Sequence, residues 1–240
     1  MKMLSKNLKI TIGAIYLIAL FAGLYFLFSL IDIKDLSSYE FIRENKNIIL
    51  EYKNNNFIFL TISFFFFSIV WVLMMGFGMP LLLFAGFVFG KWWGILIISI
   101  STTIGATLLY LLSNLFFKDF IEKKFAPKFY KLKNIFQKNE LVYFMIFRFI
   151  GGGGTPYNIQ NILPVLFNMK AKNYILGTFF GSMPAMFITV ALGSGIEQVI
   201  ENNLEISFFT IASSPEIYLP ILGFLIILLF AYIIKKNFFK

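Results

Sequence analysis

Six long tracts with few or no charges run along the chain, at 10–31, 57–90, 92–117, 141–169, 173–195 and 217–234. A bilayer core of roughly 30 Å takes about 20 helical residues, so four of these suit one membrane span each. The other two, 57–90 and 141–169, are too long for one comfortable span. Both are broken near the middle, the first by GFGMP at 76–80 and the second by GGGGTP at 151–156. The pattern predicts an all-α, polytopic membrane protein in which each broken tract folds back on itself.

The charges between the tracts set the expected orientation. Lys and Arg are retained on the cytoplasmic side of short loops. The N-terminus carries three Lys and no acid, residues 118–140 carry seven Lys against three acids, and the tail from Lys235 carries three Lys. Residues 196–216 hold four Glu and no base, and 32–55 hold five acids against four bases. The first group is expected inside and the second outside. With 32–55 outside and 118–140 inside, parity makes 57–90 a re-entrant hairpin entered from outside, with Lys91, Trp92 and Trp93 at the headgroup level. The same parity makes 141–169 a second hairpin, entered from inside and ending at Lys170 and Lys172.

An internal repeat at an offset of 76 agrees with that count. Gly76, Gly78 and Pro80 recur as Gly152, Gly154 and Pro156, and Thr102 and Gly105 recur as Thr178 and Gly181. Each unit is then a hairpin followed by a span, entered from opposite faces, which is the inverted-repeat plan of many transporters. Non-helical backbone at membrane depth requires protein or a wet cavity around it. The six Gly and Pro positions are therefore read as hairpin tips. Thr155, Tyr157, Asn158, Gln160 and Asn161 are expected to satisfy the tip backbone or line a path. Gly105 and Gly181 also fit ordinary close helix packing.

Arg148 lies inside the second broken tract. A charge there costs roughly 2.5 to 3.5 kcal/mol on insertion scales and is a functional candidate by default. The chain uses Lys for 19 of its 21 basic residues, so an arginine is itself informative. Its planar fork suits phosphate, and we read Arg148, with Thr155, Asn158, Gln160 and Asn161, as contacts for the headgroup of a lipid entering between the hairpins. Snorkelling to the hairpin's inner end is the structural alternative, because Arg148 lies only eight residues past Glu140.

Composition narrows the chemistry further. Hydrophobic residues make up 59% of the chain and charged residues 14%, and there is neither Cys nor His. Disulfides, thiolate or histidine metal sites, most haem ligation and histidine-based hydrolases are excluded, and no metal or cofactor is expected. Gly193-Ser194-Gly195 resembles a nucleophile motif without a base to activate it, and no aspartate pair lies in the apolar tracts, so the reading is of a non-enzyme. The net charge of +9 belongs to membrane flanks rather than to nucleic-acid binding.

The stretch PLLLFAGFVFGKWWG at 80–94, followed by Gly105 and Tyr110, resembles the first half of the DedA superfamily, also called VTT-domain or SNARE-associated Golgi proteins. FRF at 147–149, PYNIQN at 156–161, YILGT at 174–178, GSMP at 181–184 and ALG at 191–193 resemble its second half, over about residues 37–195 in all. The likeness is closer to the Golgi vesicle-protein branch. It implies two facing re-entrant hairpins and lipid movement between leaflets: recycling of undecaprenyl phosphate in DedA-type members, phospholipid scrambling in eukaryotic relatives. Arg148 corresponds to the family's arginine before the second tip, and Pro156, Asn158 and Asn161 fall on its proline and amide positions. Two departures stand out. Residues 57–117 lack the acids linked with proton coupling in the DedA branch, and the stretch from Arg148 to Pro156 is longer and richer in glycine.

The resulting reading has three parts. Residues 1–36 form a retained signal-anchor helix, 37–195 a VTT-like core, and 196–240 an outer acidic loop and a C-terminal span. Ser37 to Glu40 fits a capping box opening an outer interfacial helix with Phe41, Ile48, Ile49 and Tyr52 on one face. Residues 118–140 suit an inner-surface helix on anionic lipid. The expected function is movement of phospholipid or polyprenyl phosphate between leaflets without proton drive, the partners being membrane lipids. The alternative is a non-transporting membrane organiser that binds trafficking or envelope proteins. Richness in Phe, Ile, Lys and Asn points to an AT-rich bacterial genome and hence to the plasma membrane, with both termini cytoplasmic.

Overall fold

The computed structural model describes residues 51, 53–76 and 78–201, together with isolated positions between 11 and 22 and between 215 and 233. The isolated positions are helical, whereas the expected interfacial helix from Ser37, apart from Glu51, and most of the acidic stretch lie outside the described residues. Every regular element among the described residues is helical. The order is α1 (Phe57–Leu73), α2 (Gly78–Phe116), α3 (Lys118–Lys138), α4 (Glu140–Phe149), a 3-10 turn (Gly151–Gly154), α5 (Tyr157–Ile162), a second 3-10 turn (Leu163–Phe167) and α6 (Ala171–Glu201).

α2 is two helices joined at Gly90, whose φ of 71° and ψ of 173° interrupt the helix. A Cβ at a positive φ is strained, and Gly removes it. The chain thus reverses twice, once between α1 and α2 and once at Gly90. The limb 78–89 runs back along α1, with Phe64 5.4 Å from Phe84 and Phe57 5.9 Å from Phe89 between ring centroids. The limb 91–116 then runs forward beside α1, with Trp93 donating to Thr61 at 3.4 Å and Gly105 against the backbone of Ile69. Residues 57 and 90 therefore lie at the same end of the bundle. At 17 residues, α1 is roughly 25 Å long at helical rise, short of a full bilayer core.

The second unit repeats the first with a shorter return. α4 runs beside the first half of α6, with Glu140 accepting from Asn173 and from the Lys170 amide, and Gly181 against Met145 and Arg148. Between them the return limb is α5 plus a 3-10 turn that ends at left-handed Asn168. α6 itself runs on to Glu201, carrying Glu197 and Glu201 of the acidic stretch in the helix.

The 76-residue offset recurs in the geometry of the backbone. The helix preceding each tip ends alike: the Met74 amide bonds to Val70 and Val72, and the Ile150 amide to Ile146 and Arg148. The next residue is left-handed in both units, Met75 at φ 60° and Gly151 at φ 64°. A Cβ on Gly105 would meet the Ile69 carbonyl at 2.7 Å and the Val72 Cβ at 3.0 Å; one on Gly181 would meet the Met145 carbonyl at 2.7 Å and the Arg148 Cβ at 2.9 Å. All of these pairs are 76 apart. The long helices α2 and α6 pack antiparallel, Gly94 lying near Val190 and the Ala106 carbonyl near Tyr174.

The bundle is inside out relative to a soluble domain. Along 91–116 the exposed stripe is Trp92, Leu96, Ile100, Ile104 and Leu108, while Ser99, Ser101, Thr102, Thr103, Thr107 and Ser113 are buried. Water would reward the opposite arrangement; lipid rewards this one, because small hydroxyl residues let helices approach and bond their own carbonyls. Thr102 and Thr107 bond to the carbonyls of Ile98 and Thr103. α3 matches the helix expected over 118–140 and carries Pro127 within it. Its buried Phe136 stacks on Phe167 at 4.5 Å and lies against Phe144 and Phe147, beneath the second hairpin.

Candidate functional site

Arg148 sits in the last turn of α4, and the helix directs it inward rather than to an end of the bundle. Its side chain is 3% exposed, so it does not snorkel. One guanidinium nitrogen, Nη2, donates to Asn161 Oδ1 at 2.7 Å, Tyr174 Oη at 3.2 Å and Thr178 Oγ1 at 3.4 Å. The rings of Phe144, Tyr157 and Tyr174 surround it, with Cζ 5.0 to 5.9 Å from their centroids. No carboxylate among the described residues pairs with it. Nε and Nη1 have no hydrogen-bond partner. A buried cation held only by neutral acceptors, with two nitrogens open, is far from satisfied.

The groups around it are tied into the backbone. Tyr174 Oη accepts from Arg148 and has two carbonyls within donating reach, Ala106 and Asn161, each at 3.1 Å. Tyr174 stacks on Tyr110 at 4.5 Å, and the Tyr110 hydroxyl bonds to the Met169 carbonyl. The site thereby links the second hairpin, α2 and α6. The two tips also approach each other, since a Cβ on Gly78 of the first would lie 3.7 Å from the Tyr157 ring of the second.

The amides singled out in the sequence divide between two roles. Asn161, fully buried, meets Arg148 and keeps its Nδ2 unpaired. Gln160 turns the other way: its Nε2 donates to the carbonyls of Gly151 at 3.0 Å and Thr155 at 2.7 Å, latching the glycine tip. Thr155 thus enters through its carbonyl. Asn158 Oδ1 is buried without a partner, and Pro156 is the N-cap of α5. In the first tip Gly78 and Pro80 fall in the first turn of α2, and Gly76 lies under the Trp71 ring. Sequence reasoning did not single out Tyr174 and Phe144 for this site, and it took Thr178 for a repeat marker. The offset was the available signal: Arg148, Asn161, Tyr174 and Thr178 stand 76 residues after Val72, Ala85, Ile98 and Thr102, so three of the four are polar where the first unit is apolar.

An apolar exterior, a hydroxyl-lined interior and a sequestered arginine between two broken helices define a helical membrane protein. Residues 77–195 match the family model of the VTT domain. The chain is similar to a protein of Caenorhabditis elegans called Transmembrane protein 41 homolog, 25% identical over 170 residues, covering 68% of each chain. A protein of the same name from Dictyostelium discoideum is 25% identical over 162 residues, 64% of this chain and 46% of its own length. No solved structure matches.

Proposed function

We propose that the protein moves an anionic lipid, a phospholipid or a polyprenyl phosphate, between the leaflets of the plasma membrane, through a passage where the two hairpin tips meet. The observation that carries this reading is Arg148, buried with two open nitrogens and no carboxylate partner among the described residues. A phosphate would supply the missing charge and acceptors bidentately. Each hairpin dips into the membrane from its own side, and both termini lie in the cytoplasm. Exchange is passive, because residues 57–117 carry no carboxylate to relay a proton.

Purified protein in liposomes is expected to let dithionite bleach labelled phospholipid beyond the outer-leaflet fraction; folded protein that leaves the inner-leaflet label intact would favour the membrane-organiser reading. The topology has its own test, made simple by the natural absence of Cys. Single cysteines at Asn55 and Lys91 should react with an impermeant maleimide from the same side of the membrane. Labelling from opposite sides would remove the first re-entrant hairpin.

A further inference from the structure

A second chamber lies away from Arg148. It is a half-open cleft of about 950 Å³ between the start of 91–116, the second half of α6 and the described positions of the C-terminal segment, such as Leu219 and Gly223. Trp92 and Phe187 form one wall, their rings 5.5 Å apart. Ala191 and Ser194 line it from α6, and Lys91 is the sole charged residue among the described residues of its lining. Lys91 is exposed and has no partner among the described residues. On α6 the lining begins at Met183, five residues beyond Thr178 of the arginine site, or roughly 7.5 Å at helical rise.

The volume is at the upper end of the roughly 300 to 1,000 Å³ that ligand sites occupy. Water is a poor filler, because it needs two to four polar partners and this lining offers little beyond Ser194 and Lys91. Left empty, the walls would forfeit their dispersion contacts. In a membrane the apolar material at hand is acyl chain, and the ammonium at the rim selects the head that accompanies it. We propose that this chamber holds the acyl chains of an anionic phospholipid, with the headgroup phosphate against Lys91, as a bound lipid distinct from whatever meets Arg148. The proposal requires only that the bundle sits in a membrane, not that it transports.

Native mass spectrometry of the full chain, released from vesicles of equal phosphatidylglycerol and phosphatidylcholine, tests it. Wild type should retain phosphatidylglycerol about fivefold over phosphatidylcholine, the preference one lysine near anionic lipid confers. Lys91→Gln should keep a lipid but lose the preference. Ala191→Phe, which fills the chamber, should retain neither, with Ser194→Leu as a second filling variant should the first fail to fold. Arg148→Ala should keep the phosphatidylglycerol preference that Lys91 confers. Unchanged preference in Lys91→Gln, or undiminished lipid in a folded filling variant, overturns the proposal. Loss of the lipid in Arg148→Ala alone would assign it to the arginine site instead.

Discussion

Arg148→Met is expected to reduce lipid exchange at least tenfold or so while leaving the fold within about 1 kcal/mol of wild type or more stable. The first half follows from losing charge-assisted contacts to phosphate, each worth about 1.5 to 3 kcal/mol. The second half follows from what the arginine costs. Burying a cation at membrane depth costs roughly 2.5 to 3.5 kcal/mol, and one nitrogen's bonds to neutral acceptors about offset it. The equivalent position in the first unit is Val72, fully buried, so the same helical frame holds an aliphatic side chain elsewhere in this molecule. Arg148→Lys should be intermediate, since an ammonium keeps the charge but not the fork. Exchange assays and thermal unfolding in detergent read both quantities. Normal exchange in Arg148→Met, or unfolding of that variant by several kcal/mol, would make Arg148 a structural anchor and not a substrate group.

The largest effect on folding is expected at Gly86. A Cβ there would lie 1.8 Å from the Val190 carbonyl oxygen and 2.9 Å from the Ser194 amide, and a Cβ on Gly193 would lie 2.1 Å from the Leu83 carbonyl. These are backbone atoms, so relief requires α2 and α6 to move apart as rigid bodies. Gly86→Ala and Gly193→Ala should each cost about 3 kcal/mol or more, at or beyond the upper end of ordinary overpacking. Gly223→Ala serves as the control, because its Cβ would meet Ile188 at an ordinary 3.6 Å. Size-exclusion chromatography after heating distinguishes them. A monodisperse Gly86→Ala with unchanged melting would mean that the return limb of the first hairpin does not cross α6 at this point.

The chain reversals were legible because they rest on tract length and on where Gly and Pro interrupt it. Two tracts too long for one span and broken by Gly and Pro do reverse direction, and Phe57 meets Phe89 as that reading requires. The five coincidences at offset 76 marked a repeat that the cap bonds and left-handed residues of both tips reproduce. Local detail was less legible. Gln160 and Asn161 are adjacent amides on one short helix, and about 100° of helical rotation separates a tip latch from an arginine partner. Which faces which depends on how the glycine turn feeds α5, and that is set by tertiary contact. In the first tip the left-handed residue is Met75 and not Gly76, whereas Gly151 and Gly152 are both left-handed in the second, so glycine spacing alone misplaces it by one position in the first. Tyr174 looked like an ordinary span residue because its role appears only when α2 supplies Ala106 and Tyr110.

The pairing of Val72 with Arg148 at matching places in the two units bears on how the sealed bundle would first unlock. Were both halves alike, parting beside one or beside the other would need equal work. Here, parting that admits water beside Arg148 recovers hydration for a cation, whereas parting beside Val72 wets only hydrocarbon. Hydration therefore favours opening on the arginine flank over opening on the valine flank.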